Sequence, residues 1–438
     1  MMLQMNATPA PIERGLGKTV DWWIIACYLL LVLIGWINIY ASIHSTEPAS
    51  IFAWAARSGK QAVWILTAFV LDIFILFVIN PRLWEVVSPY FYGGVLFLLV
   101  LVIFVSEDTK GSHSWFELGP VKFQPAEISK ITTSLLLAMV MSKPNFRLSN
   151  RRFFLAVAVI IGLPMLAILG ESETGSALVY AGFLLVLYRE GLPGIWLFLL
   201  GMAILLFILT LVAPGWVPAA LLFAVCAAYY VQVLRHSRRE SRNLRRRTLF
   251  RTLLAFAAGV AMIFATDFLF ENVLQDHQRK RIEVLLGLKE DPSGVGYNVR
   301  QSMIAIGSGG LTGKGFLQGT QTTYGFVPEQ STDFIFCTVG EEWGFLGCLT
   351  VILLYVVMIW RIITDADRSR EAFTRIYGYC LASCLMMHLF INIGMTIGLM
   401  PVIGIPLPLL SYGGSSLWAF SVMIFIFIAL DRQEKKYF

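Results

Sequence analysis

The stretch "GFVPEQSTDFIFCTVGEEWGF", Gly325 to Phe345, decides how this chain is read. It sets Pro328, Glu329 and Asp333 at the threshold of a long apolar run and places Glu341 and Glu342 inside it. A carboxylate near the centre of a bilayer costs roughly 2.5–3.5 kcal/mol on insertion scales. A segment built only to span a membrane would avoid these acids, so something must offset their cost.

The rest of the chain explains why a membrane is the right frame. Of 438 residues, 57% are hydrophobic and 14% charged. That composition predicts an all-α polytopic membrane protein, with 1–438 as a single integral domain. The net charge of +6 is concentrated in short loops. No basic and aromatic groove pattern accompanies it, so no nucleic-acid partner is expected. The first apolar run, Trp22–Ser42, is too long for a signal-peptide core and reads as a retained helix after a polar segment, 1–20.

Twelve apolar runs are candidates to span. They are Trp22–Ser42, Gln61–Asn80, Trp84–Val105, Pro125–Met141, Phe153–Gly170, Gly175–Leu187, Ile195–Ala213, Trp216–Leu234, Thr252–Phe270, Phe334–Trp360, Arg375–Gly398 and Leu417–Leu430. With the N-terminus inside, the gaps "SKPNFRLSNRR", "RHSRRESRNLRRRTLFR" and "RIITDADRSREAFTR" and the tail "DRQEKKYF" fall on the cytoplasmic side. All are rich in Arg or Lys, as the positive-inside rule expects, so both termini are expected in the cytoplasm. A large extracytoplasmic loop, 271–332, precedes the tenth helix. A loop of that length in a compact protein carries function.

Several side chains are candidates for chemistry. Within the loop, "GSGGLTGKG" (Gly307–Gly315) lacks the Ser or Thr that a nucleotide-binding P-loop needs after its Lys, because Gly315 follows Lys314. It reads either as a flexible connection or as a backbone nest for a pyrophosphate. Asp333 is placed to start a helix, where the helix dipole favours an acid. Glu127 and Lys130 in "FQPAEISK" stand at i, i+3, as a structural pair or as part of a polar cavity. Asp72 lies mid-helix with no partner nearby in sequence. Cys380, Cys384 and His388 share a helix face, which reads as small apolar-face residues rather than a metal site.

Long segments of the chain resemble the SEDS family (shape, elongation, division and sporulation), the membrane peptidoglycan glycosyltransferases. The segments are "GYNVRQSMIAIGSGGLTGKGFLQGTQ", "FVPEQSTDFIF" with "GEEWGFLG", "NIGMTIGLMPVIGIPLPLLSYGGSS", "FQPAEISK" with Trp115, and "VDWW". The "GTQ" and "GIPLPLLSYGG" forms resemble elongation-type members more than division-type ones. Two departures stand out. Where the family has "QPDxGTA" this chain has "ESETGSA", Glu171–Ala177. The family has ten helices, so 195–270, with three spans where one is expected, reads as carrying a two-helix insertion.

The resemblance implies polymerisation of lipid II at the outer face of the cytoplasmic membrane, with a lipid II flippase as the alternative. It implies Asp333 as catalytic base. Glu127, Lys130, Trp115, Arg279, Lys314, Glu329 and Ser411 are the implied substrate-binding residues. The departing pyrophosphate needs countercharge, which basic side chains, the Gly-rich loop or a divalent cation (Mg or Mn) could supply. No organic cofactor is implied. The implied partner is a class B penicillin-binding protein, a transpeptidase.

Overall fold

The computed structural model describes residues 19–45, 50–106, 114–118, 121–236, 242–272, 274, 276–289 and 294–437. Most of the polar segment 1–20 lies outside them. The chain packs as two compact units, Met1–Gly191 with Tyr297–Phe438, and Leu192–Gly296.

The first unit opens with α1 (Trp22–Ile43), α2 (Arg57–Phe77) and α3 (Arg82–Val105). A short antiparallel hairpin follows, β1 (Phe116–Leu118) and β2 (Val121–Phe123), with Phe116 opposite Phe123. Then come α4 (Pro125–Met141), α5 (Arg151–Gly170) and α6 (Thr174–Val179), which passes through a 3-10 turn into α7 (Phe183–Arg189). The second unit holds α8 (Ile195–Val212), α9 (Trp216–His236), α10 (Arg242–Asn272) and α11 (Asp276–Leu285). The first unit resumes with α12 (Val295–Ser308), α13 (Thr320–Thr323), α14 (Ile335–Arg368), α15 (Ala372–Thr396) and α16 (Gly414–Tyr437).

Among the described residues, 10 helices are long and apolar enough to cross a membrane, so the protein is a multi-pass membrane protein. The other two expected runs are the 17-residue α4 and the broken α6–α7 segment. Local chemistry sets the helix starts. Asp21 caps α1 by accepting from Trp23 N at 2.8 Å, and Asn150 caps α5 through Arg152 N at 3.0 Å. Pro125 opens α4, where its missing N–H is harmless. The outward faces of α2 and α3 expose Leu66, Ile73, Tyr90 and Phe104, as a lipid-facing surface should.

Two helices run past the ends that hydropathy sets. α14 continues from Trp360 to Arg368, and α16 from Leu430 to Tyr437. Charges on these last turns are paired, so the helices need not stop at them. Arg361 binds Asp21 with Nε at 2.8 Å, and Lys435 reaches Asp431 at 2.6 Å and Asp365 at 3.4 Å. Asp72 also finds a partner: Tyr28, on α1, donates its hydroxyl to the carboxylate at 2.8 Å and meets Ser421 of α16 at 2.8 Å. α15 and α16 are the most enclosed spans and form the centre of the first unit.

In the second unit α9 and α10 pack on each other, with Phe223 and Phe256 edge to face at 5.8 Å. The segment read as an insertion supplies the three spanning helices of this unit.

Candidate active site

Asp333 is half-buried in the turn that leads into α14. The turn forms because Glu329 takes a left-handed backbone, φ 53°, and its carbonyl accepts both Thr332 N at 3.1 Å and Phe334 N at 3.2 Å. A non-glycine residue in that region is strained and persists only when its surroundings impose it. Here they do. Arg57 donates to Ser331 Oγ at 2.7 Å, and Tyr412 N donates to the Ser331 carbonyl at 2.8 Å. Ser411 donates to the Thr332 carbonyl at 2.6 Å, and Asn392 Nδ2 donates to the Asp333 carbonyl at 2.8 Å. Elements far apart in sequence thus converge on three successive residues.

Ser411 acts here on the backbone beside Asp333: its hydroxyl also accepts Leu407 N at 2.8 Å, fixing the segment between α15 and α16. That segment carries Gly404, at φ +76°. A Cβ there would lie 3.3 Å from Asp333 Oδ2. Glu329 itself is exposed, one turn before Asp333, and its carboxylate accepts Thr332 Oγ1 at 3.2 Å.

Glu341 and Glu342 answer the question their burial raises in different ways. Glu341 is fully buried and accepts the backbone N–H groups of Thr320, Gln321 and Thr322 at 2.8, 2.8 and 2.9 Å. It also accepts Thr322 Oγ1 at 2.8 Å and Lys314 Nζ at 2.6 Å. The carboxylate caps α13 from outside it, where N–H groups would otherwise be orphaned. Glu342 is equally buried, but neither of its oxygens completes a hydrogen bond, although the Leu317 N–H approaches it.

The glycine-rich stretch is a clasp around a break in α14. At Gly344 the backbone turns to φ 63°, ψ −160°. Lys314 N and Gly315 N donate to the carbonyls of Glu341 and Glu342, each at 3.0 Å. Phe345 N and Leu346 N return to Gly310 O at 2.9 Å and Leu311 O at 3.1 Å. A Cβ on Gly344 would meet Gly313 N at 2.3 Å, so the two backbones touch only because both residues are glycine. In the stretch read as a pyrophosphate nest, the N–H groups of Gly309, Gly313, Lys314 and Gly315 are engaged within the fold, and Lys314 Nζ is engaged with Glu341.

Glu127 and Lys130 form an ion pair at 2.8 Å, with both side chains buried. Lys130 Nζ also contacts His388 Nε2 at 2.9 Å, and His388 Nδ1 contacts the Pro406 carbonyl at 3.1 Å. An ammonium only donates and a carbonyl only accepts, which assigns the imidazole proton to Nδ1. One turn along α15, Asn392 donates to Ile405 O at 2.7 Å as well as to Asp333 O. A polar line therefore runs from Glu127 through Lys130, His388 and Asn392 to the backbone of Asp333. The second Glu127 oxygen, Oε2, is buried without a partner.

Trp115 is half-buried just before β1. Its neighbour Ser114 donates to Glu173 at 2.8 Å, and the Lys122 carbonyl on β2 accepts from Ser415 at 2.9 Å. The hairpin is thereby tied to the "ESETGSA" junction and to the start of α16. Arg279 lies in the second unit, where its Nε donates to Phe270 O at 3.0 Å. Among the described residues, no group of three or more His, Cys, Asp or Glu side chains is placed to hold a metal ion.

Sequence reading missed Arg57 and Asn392 and gave His388 no part in a polar site. Asn392 and His388 stand at i, i+4 on an otherwise apolar helix, and that polar pair was the available signal. Nothing near Arg57 in sequence points to Ser331.

Residues 21–240 and 242–436 match the family model described as "Cell cycle protein", which groups FtsW, RodA and SpoVE. The chain is 34% identical over 340 residues to "Peptidoglycan glycosyltransferase MrdB" of Escherichia coli (strain K12), covering 77% of this chain and 76% of that one. It is 30% identical over 442 residues to "Peptidoglycan glycosyltransferase RodA" of Treponema pallidum (strain Nichols), covering 96% and 99%. The solved Thermus thermophilus RodA aligns with a TM-score of 0.58 at 23% identity, covering 95% of this chain and 97% of that one. A chain from "Structural coordination of polymerization and crosslinking by a peptidoglycan synthase complex" aligns at 0.66 and 22%, covering 95% and 98%. These two likenesses concern the fold. The chain belongs to the SEDS family, the group of RodA, FtsW and SpoVE, and its similarity to MrdB and RodA places it with the RodA type.

Proposed function

We propose that this chain is a peptidoglycan glycosyltransferase that polymerises lipid II for cell-wall elongation and cell shape. The observation that carries the mechanism is the setting of Asp333: a half-buried carboxylate on a backbone fixed by Arg57, Asn392, Ser411 and Tyr412. Positioning of that kind is what general-base catalysis needs.

A hydroxyl of the acceptor sugar attacks the anomeric carbon of the donor. Asp333 takes the hydroxyl proton as the new C–O bond forms. The bond from that carbon to the pyrophosphate breaks, and undecaprenyl pyrophosphate leaves. One displacement inverts the anomeric centre and needs no covalent sugar–enzyme intermediate. A divalent cation fits this scheme as a companion of the lipid pyrophosphate.

The Arg-rich gaps support a cytoplasmic-membrane location with both termini inside, which puts Asp333 at the outer edge. The likeness to a chain from a peptidoglycan synthase complex supports a transpeptidase of the class B penicillin-binding type as partner. The test is purified protein with lipid II, glycan products being resolved on a gel. Asp333→Asn is expected to fold and insert but to make no polymer, because Asn is nearly isosteric and cannot take the proton. Polymer at the wild-type level would remove Asp333 from the mechanism.

A further inference from the structure

A cavity of about 330 Å³ opens between α7, α14 and α15, away from Asp333 and its anchors. Each helix contributes apolar turns and then a polar group at its end. α14 brings Ile359, Ile363 and then Asp367, at i, i+4 and i+8. α7 brings Leu185 and then Arg189, its last residue. α15 enters with Tyr379, one turn ahead of Ser383 and two ahead of Met386. The cavity is apolar towards the middle of the bundle and charged at its mouth.

The mouth carries one charge of each sign. Arg189 Nη2 meets Asp367 Oδ1 at 2.8 Å, with side chains 57% and 39% exposed, so both stay open to a ligand. Tyr379 donates to the same Oδ1, and the guanidinium lies 5.5 Å from its ring centroid. Both contacts of Asp367 use one oxygen and leave Oδ2 available. Deeper in, Ser383 is one of the lining residues; its hydroxyl oxygen is buried beside Gly182 and has no hydrogen-bond partner. Buried polar groups are normally satisfied, and this one, on a residue that lines the cavity, is left without a partner. Four residues along the helix set it about 6 Å below Tyr379.

We propose that this cavity binds a phospholipid with a zwitterionic, primary-amine head group, of the phosphatidylethanolamine kind. The volume is at the lower end of the range for ligand sites, about 300–1,000 Å³, enough for the head and the first part of one chain. The guanidinium takes the phosphate and Asp367 takes the ammonium. The Ser383 hydroxyl donates to a glycerol-ester carbonyl below the head group. One acyl chain follows Ile363, Ile359 and Met386 towards the bilayer interior. A purely anionic lipid would face Asp367, and a quaternary ammonium has no N–H to give it.

The test uses the full-length protein purified in mild detergent, offered equal amounts of phosphatidylethanolamine, phosphatidylglycerol and phosphatidylcholine, with retained lipid counted by native mass spectrometry. Wild type is expected to retain one phosphatidylethanolamine with a preference of about tenfold over either rival, the worth of one charge-assisted hydrogen bond. Asp367→Asn should abolish the preference over phosphatidylglycerol. Ser383→Ala should weaken retention of all three, and Met386→Trp, which fills the groove from a partly exposed position, should abolish it at unchanged thermal stability. Equal retention of the three lipids by wild type, or retention by Met386→Trp that matches wild type, would overturn the proposal.

Discussion

Lys314 Nζ lies 2.6 Å from Glu341 Oε1, and the same carboxylate accepts three consecutive N–H groups at the start of α13. The ammonium is partly exposed while the carboxylate is not. The backbone donors therefore offset most of the carboxylate's burial, and the ion pair adds to them. Glu341→Gln can keep only one accepting oxygen and turns an NH2 towards N–H groups. We expect it to lower stability by about 3 kcal/mol, in the range for breaking a buried charged network. Lys314→Met should cost about 1 kcal/mol. Thermal unfolding in detergent checks the pair, and equal losses would assign the cap to the ammonium instead.

The break in α14 gives a second prediction. Gly344→Ala drives a Cβ to 2.3 Å from Gly313 N and holds alanine at φ 63°. Backbone must move, so the variant should lose the clasp and accumulate poorly. Gly93→Ala, on α3 with nothing within 4 Å of the new Cβ, should be neutral or stabilising by up to about 1 kcal/mol. Similar yields of folded protein from both variants would argue that the clasp is not needed for folding.

Glu171 follows the last residue of α5, is fully buried, and neither carboxyl oxygen has a hydrogen-bond partner. Burial, reinforced by the nearby Glu173 charge, pushes its pKa up to about 9. The folded state then holds this proton over a pH range where the unfolded chain, titrating near 4.3, has released it. Unfolding releases a proton there, so this contribution to stability is complete below about pH 4 and declines as pH rises to about 9. Glu171→Gln does not titrate. Its melting temperature relative to wild type should rise between pH 5 and pH 9, and a constant difference would mean that Glu171 is ionised in the fold.

A fourth prediction concerns Glu127, Lys130 and His388. Lys130→Met strands the Glu127 charge in the bundle and should cost about 3–5 kcal/mol. Removing both charges, as Glu127→Gln with Lys130→Met, should cost less than the sum of the single changes by about 1–3 kcal/mol. The exchange Glu127→Lys/Lys130→Glu keeps an ion pair but puts an acceptor against His388 Nε2, which already accepts. It should reach the membrane and be inactive in lipid II polymerisation. An active, stable exchange would reduce the pair to a structural role.

Hydropathy placed the spans because lipid exposure is a property of each segment by itself: every apolar run read from the sequence is helical, and loop charge needed no partner to be counted. The motif around Asp333 was legible for the same reason, as contiguous residues of special type. Helix ends were not. α14 and α16 outrun their apolar stretches because Arg361 meets Asp21 and Lys435 meets Asp365 and Asp431, contacts mostly between distant positions. The glycines of 307–315 were visible, but their purpose depended on a break at Gly344 that no local pattern signals. Glu127 and Lys130 could be paired from their spacing, but His388, 258 residues beyond Lys130, could not be joined to them. The same holds for Arg57 and Ser331, 274 residues apart. Sequence determines which segments enter the membrane and which residue types they carry. Which buried polar group meets which is decided by helix packing, because a buried donor or acceptor takes its partner from whatever the fold brings within hydrogen-bond reach.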